Sequence, residues 1–218
     1  MASNESTSEH ALDSPSPDAA RWPHTGAIMA GGESRRMGEA KEGVRLWRGR
    51  PMIEYAVLTL QQLCRQVVIV GRCVGYEPPP ERPIVRIPDV RPGNGPLCGI
   101  EALLRSGLDT GYVVVACDQP LLSAELLRRL VAGDPDGAAL LRPADGRWLG
   151  PFPGYFPAAW LTHVEAVVAA GRHSVRAVAE RGPVRWVPIS ADEERLLRSV
   201  DTPQDVAELL GGDEPVNP

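Results

Sequence analysis

The chain has 218 residues, of which 43% are hydrophobic and 23% charged, and its formal net charge is −5. That length supports one globular domain with a substantial core and leaves little room for a second. The negative balance excludes the sequence-independent attraction of a basic protein for nucleic acid or anionic lipid, so neither is an expected partner and any phosphate must be held by local cations.

Residues 1–23 are rich in Ser, Asp, Glu, Ala and Pro and offer almost nothing large and apolar, so they read as a disordered tail. The first twenty contain no Lys or Arg and no apolar signal segment, which points to a cytoplasmic location. No apolar run approaches bilayer-spanning length; the longest are Val67–Val70 and Val113–Cys117. Residues 212–218 read as a short flexible end, leaving 24–211 as the folded unit.

Within that unit short apolar runs alternate with helical periods. A strand over Thr25–Ala30 leads through a glycine-containing loop to a helix over Pro51–Leu63. Strands over Gln66–Val70 and Pro83–Ile87 follow, then a loop rich in Pro and Gly, a helix over Gly99–Arg105 and a strand over Tyr112–Cys117. A helix over Ala124–Val131, a strand over Gly137–Arg142, helices over Pro157–Ala170 and Ser174–Arg181, a strand over Val184–Ile189 and a helix over Pro203–Leu210 complete the order. This alternation predicts an α/β fold with a doubly wound, mostly parallel sheet covered on both faces. Ligands of such sheets bind beyond the carboxyl ends of the strands, so the loops 31–41, 89–99 and 118–120 are expected to converge on one site.

The first of these loops, Gly31 to Lys41, holds three glycines, the Ser34 hydroxyl and the cations Arg35, Arg36 and Lys41. Glycines let backbone N–H groups approach phosphate oxygens and the cations neutralise them, although composition alone fits a solvated turn equally well. The loop is not a Walker A motif, because Gly38 is followed by Glu39-Ala40-Lys41. Asp118 follows an apolar strand, where a carboxylate suits Mg²⁺; the alternative is a cap for the helix after Ser123. Asp201, ahead of Thr202-Pro203, reads foremost as a helix cap, with a metal contact as the alternative. Asp89 is by default a turn residue before the Pro/Gly loop, and Gly93-Asn94-Gly95 is not a dinucleotide fingerprint, since Pro96 intervenes.

Cys64, Cys73, Cys98 and Cys117 have irregular spacings without a CxxC pair and read as buried, inert thiols. His10, His24, His163 and His173 lie outside every motif, and no local Ser-His-Asp or Cys-His set argues for a hydrolase. The five tryptophans are scattered and read as packing residues.

Met29-Ala30-Gly31-Gly32 followed by Ser34, Arg36-Met37-Gly38 and Lys41 resembles the LAGGxSxRMGxxK signature of the MobA-like nucleotidyltransferases, the molybdenum cofactor guanylyltransferases among them. Gly95-Pro96-Leu97-Cys98-Gly99 is similar to their GPLAG loop, Cys117-Asp118-Gln119-Pro120 to their CDxP segment, and Asp201-Thr202-Pro203-Gln204-Asp205 to their (N/D)TPED helix start. The resemblance runs in order from about Gly26 to Leu210 and implies a Rossmann-like nucleotidyltransferase fold. It also implies transfer of GMP from MgGTP to the phosphate of molybdopterin or Mo-molybdopterin, with pyrophosphate released.

On that resemblance Arg36, Lys41 and Asp118 are the catalytic residues. GTP falls to Met29, Ala30, Gly31, Gly32, Lys41, Asp89 and Asp118, and the pterin side to Gly95, Pro96, Leu97 and Gly99. Mg²⁺ falls to Asp118, with Asp201 as a further candidate for metal or pterin, and molybdoenzyme maturation proteins are implied as further partners. The chain departs from the pattern where Ala40 replaces an Asp, where one extra residue precedes Gly49-Arg50-Pro51, and where Gly71 or its neighbours replace a nucleotide-contacting Asn. It also departs at Gly150–Tyr155, which lacks a polar residue. The alternatives are a transferase of the same fold with another nucleotide or acceptor, such as cytidylyl or sugar-phosphate transfer, and a non-catalytic carrier of the molybdenum cofactor.

Overall fold

In the computed structural model, which describes residues 22–32, 36–89, 95–133 and 137–212, the central strands are buried almost throughout, as a sheet covered on both faces requires. Ser34, Arg35, Gly93, Asn94 and the two end segments 1–21 and 213–218 lie outside the described residues. The strands are β1 (Trp22–Met29), β2 (Cys64–Val70), β3 (Val85–Ile87), β4 (Gly111–Ala116), β5 (Ala138–Pro143), β6 (Gly154–Pro157) and β7 (Val184–Ile189). They form one sheet in the order β3-β2-β1-β4-β6-β5-β7.

Ile28, Ile69, Val113 and Val115 point to one face, where α1 (Met52–Leu63) and α3 (Ala124–Val131) cover them with Ile53, Leu60, Leu126 and Leu130. Their neighbours Ala27, Val68, Val70 and Val114 point to the other, against α2 (Pro96–Arg105), α4 (Leu161–Ala169) and α5 (Val175–Ala179). Each fully buried Leu or Ile contributes roughly 1.5–3 kcal/mol, so the two faces fix the sheet between its helical layers. The doubly wound α/β arrangement is as predicted.

A third, smaller cluster lies over the rim. Met37, Val44, Leu46, Met52, Tyr55 and Val200 are buried together, with Val206 and Leu209 of α7 (Pro203–Leu210) packed against them. It joins the loop after β1 to the C-terminal part of the chain.

The structure corrects the predicted elements at four points. β1 begins at Trp22 rather than Thr25, so Trp22 and Pro23 belong to the sheet, not to a tail ending at residue 23; Trp22 pairs with Cys64 and packs on the core. β6, four residues all buried, was not predicted: a Gly-led, Pro-ended run this short carries no alternation to read. It pairs antiparallel with both β4 and β5, whereas the other pairings are parallel. The helix predicted from Pro157 consequently starts only at Leu161, after a 3-10 turn over Ala158–Trp160. Finally, α6 (Ala191–Arg195) was missed, although Ser190 and Glu193 form a capping box with the spacing that marks one.

Candidate active site

The chain returns three times to the same rim, and backbone contacts lock these returns together. Ala30 N–H donates to Val70 O at 2.9 Å and Cys117 N–H donates to Met29 O at 3.2 Å, fixing the loops after β1, β2 and β4 side by side. Val200 N–H donates to Asp118 O at 2.9 Å, which brings the segment before α7 onto the turn after β4. Gly71 sits at φ 90°, and a Cβ there would stand 2.4 Å from Ala30 O. No side chain fits at 71, so a nucleotide-contacting Asn could not occupy that position without moving the first loop.

The result is a cleft of about 420 Å³. Of the residues predicted for it, Met29, Ala30, Gly31, Gly32, Lys41, Asp89, Gly95, Pro96 and Asp118 line it. Arg36, Leu97, Gly99 and Asp201 do not. The stretch predicted as a pterin-side loop is the first turn of α2, which turns Leu97 wholly into the core at 0% exposure and packs Gly99 under Met29 and Asp89. Four lining residues went unpredicted: Glu42, Ala116, Cys117 and Phe152. Glu42 is 3% exposed and its Oε1 accepts from Gly31 N–H at 2.6 Å, a contact no local pattern announces.

Charge concentrates on Lys41. Its Nζ donates to Asp118 Oδ2 at 2.9 Å and to Asp201 Oδ1, and Arg36 Nη2 lies 2.9 Å from Asp201 Oδ2. Lys41 and Asp118 have side chains only 15% and 18% exposed. Burial alone would lower the Lys41 pKa, but the hydrogen bonds and charges of Asp201 and Asp118 outweigh it, and the pKa is raised. The Lys41 hydrogen bond, opposed by burial, holds the Asp201 carboxyl below its ordinary value, with Arg36 adding to the effect.

The capping alternatives for both aspartates are overturned. Ser123 caps α3, accepting from Leu126 N–H, and Thr202 caps α7 in a box closed by Asp205. Asp118 and Asp201 are thereby left to meet at Lys41. Their oxygens suit a hard divalent cation, and among the described residues no group of three or more His, Cys, Asp or Glu side chains could hold one. Two carboxylates supplemented by substrate phosphates and water is a ligand set that Mg²⁺ tolerates well.

Asp89 lines the same cleft. Its Oδ1 is buried without a hydrogen-bond partner among the described residues, and burial raises its pKa. It is an acceptor awaiting a donor. Gln119 Nε2 donates to Leu197 O at 2.9 Å and to Phe152 O at 3.4 Å, holding the Phe152 loop and the approach to α7 against the Asp118 turn. All four cysteines are buried and unpaired in disulfides, as predicted.

The family model of the MobA-like NTP transferase domain matches residues 26–185, well over half of the chain. The chain belongs to that family. Within it, the chain is 41% identical over 111 residues to the molybdenum cofactor guanylyltransferase of Xanthomonas euvesicatoria pv. vesicatoria, a match covering 50% of this chain and about half, 54%, of that relative. A molybdenum cofactor guanylyltransferase of Desulfosudis oleivorans is 29% identical over 181 residues, 81% of this chain and 84% of its own. The solved molybdopterin-guanine dinucleotide biosynthesis protein A of Archaeoglobus fulgidus superimposes with a TM-score of 0.69 at 25% identity, covering 86% of this chain and 97% of that one. Asp201 lies beyond the segment matched to the MobA-like domain and joins the charge cluster through its contact with Lys41.

Proposed function

We propose that the chain transfers GMP from MgGTP to the phosphate of molybdopterin, forming a guanine dinucleotide cofactor and pyrophosphate. The observation that carries this reading is the convergence of Lys41, Asp118 and Asp201 beside the Gly31-Gly32 loop, with an unsatisfied Asp89 acceptor in the same cleft. The names of the relatives support the choice of nucleotide and acceptor.

An oxygen of the acceptor phosphate attacks the α-phosphorus, the bond to the β-phosphate breaks, and the pair of electrons leaves with pyrophosphate. The attacking monoester is already anionic near neutral pH, so no general base is required. The burden is electrostatic: two anions must meet while charge builds on the leaving group. Lys41 supplies the buried cation for the α-phosphate, and Arg36 the more exposed one at the mouth. Asp118 and Asp201 would hold Mg²⁺, which when bound adds Lewis-acid charge to the phosphates. Asp89 would accept from the N1–H and N2–H₂ donors of guanine, and Gly95-Pro96 would line the acceptor side. The reading carries a cytoplasmic setting and handover of product to molybdoenzyme maturation proteins. No described helix is long and apolar enough to cross a membrane.

The test is purified protein with molybdopterin, Mg²⁺ and each of the four ribonucleoside triphosphates, with products identified by mass. Guanine dinucleotide formed in preference to the other three is the expected result. Preference for CTP, or binding without turnover, would replace the reading with cytidylyl transfer or a carrier role.

A further inference from the structure

Arg142, at the carboxyl end of β5, is a half-buried cation with no ion pair among the described residues, and its Nε is buried without a hydrogen-bond partner. Its guanidinium carbon lies 3.9 Å from the centroid of the Trp186 ring, and Trp186 meets Trp148 edge-on at 6.2 Å and 82°. Both indoles are partly buried on the sheet face covered by α2, α4 and α5. A cation without an anion and a donor without an acceptor leave a deficit that packing on one indole only partly offsets.

The strand register places this pair beside the active cleft. Leu140 of β5 lies opposite Gly154 of β6 in an antiparallel ladder. Arg142 comes two residues further toward the rim on β5, and Phe152, which lines the cleft, packs against the same core cluster as Trp148 and Trp186. β5 is two strands from β4, whose end carries Asp118, a separation of about 10 Å at ordinary strand spacing. The guanidinium thus stands apart from the phosphate-handling centre, on the side of β4 away from β1 and β2.

We propose that Arg142, held flat on Trp186, recognises the heterocycle of the acceptor. This rests on the guanylyltransfer reading. A guanidinium fixed in one plane presents donors in a fork, which suits the carbonyl and ring-nitrogen acceptors along one edge of a pterin-type bicycle. The distance from Asp118 is that of a group joined to the reacting phosphate through a short linker rather than the phosphate itself. Arg142 is a recognition residue, not a catalytic one, and a lysine in its place would lack both the plane and the fork.

Two measurements test this on wild type, Arg142→Met, Arg142→Lys and Trp186→Leu. The first is the separate KM for molybdopterin and for GTP; the second is anisotropy of fluorescent hydroxymethylpterin monophosphate, with phenyl phosphate as the competitor lacking the bicycle. Arg142→Met is expected to raise the acceptor KM about tenfold or more without changing the GTP KM, and Arg142→Lys to fail to rescue it. Pterin binding should weaken in parallel in Arg142→Met and Trp186→Leu, and phenyl phosphate should compete poorly. Should Arg142→Met not fold, Arg142→Lys, which keeps the stem and charge, carries the same expectation. An unchanged acceptor KM and unchanged pterin binding, or both KM values rising together, would overturn the proposal. If wild type makes guanine dinucleotide and Arg142→Met is indifferent, this inference falls alone. If wild type binds the pterin probe through Arg142 but makes no dinucleotide, the guanylyltransfer reading falls and this inference stands.

Discussion

Lys41 donates its ammonium to Asp201 across 160 residues of sequence while also holding Asp118, so a loop after the first strand and the entry to the last helix share one ion cluster. If the two carboxylates hold Mg²⁺ as proposed, Asp118→Asn should abolish turnover. Asp201→Asn should lower it by roughly one to two powers of ten, with partial recovery at high Mg²⁺. Circular dichroism and thermal melting should show both variants folded. Near-normal turnover of either at ordinary Mg²⁺ would remove that residue from the metal site.

Asp205 makes a separate, pH-dependent contribution. Its carboxyl is held down at about 2, against an ordinary 3.8, first by the Thr202 hydroxyl, then by Arg198 and the Asp201 N–H. A depressed carboxyl pKa stabilises the fold fully above the unfolded value and loses that effect as pH falls through the folded one. The melting-temperature gap between wild type and Asp205→Asn should therefore be constant above pH 4 or so and close as pH drops toward 2. A gap that persists at the acid end would show that the cap does not depend on the charge.

Gly71 is expected to be intolerant of any side chain. A Cβ there would meet Ala30 O at 2.4 Å, in a backbone conformation at φ 90° that other residues rarely adopt. Gly71→Ala should cost about 2–4 kcal/mol of stability in urea titrations. An unperturbed midpoint would show that the first and second loops can separate freely.

Glu42 places a buried negative charge against Gly31 N–H, in the loop proposed to take the triphosphate. Glu42→Gln keeps an oxygen acceptor but removes the charge. Relief of about 1 kcal/mol of repulsion, an order of magnitude usual for a screened charge pair, would lower the KM for GTP about fivefold. A rise in KM would mean instead that the carboxylate orders the loop.

Much of this molecule is legible along the chain because its signals are local. Alternating apolar runs and helical periods give the α/β layers, and the loops after the first, third and fourth strands carry most of the residues that line the cleft. The strand order was not legible in the same way: β6, too short to show alternation, sits between β4 and β5. Asp201 shows the limit: next to Thr202-Pro203 it has the sequence of a helix cap, and only the buried Met37, Val44 and Val200 cluster brings it to Lys41. Leu97 shows the same limit in reverse, because a residue within a ligand-loop motif turns inward once that loop is the first turn of a helix. Glu42, Phe152 and the Arg142–Trp186 pair went unread because their significance lies in partners from 11 to 44 residues away, which no local pattern joins. The order of elements is encoded in neighbouring residues, but the pairing of charges and the walls of the cleft arise only when packing places distant side chains within a few ångströms.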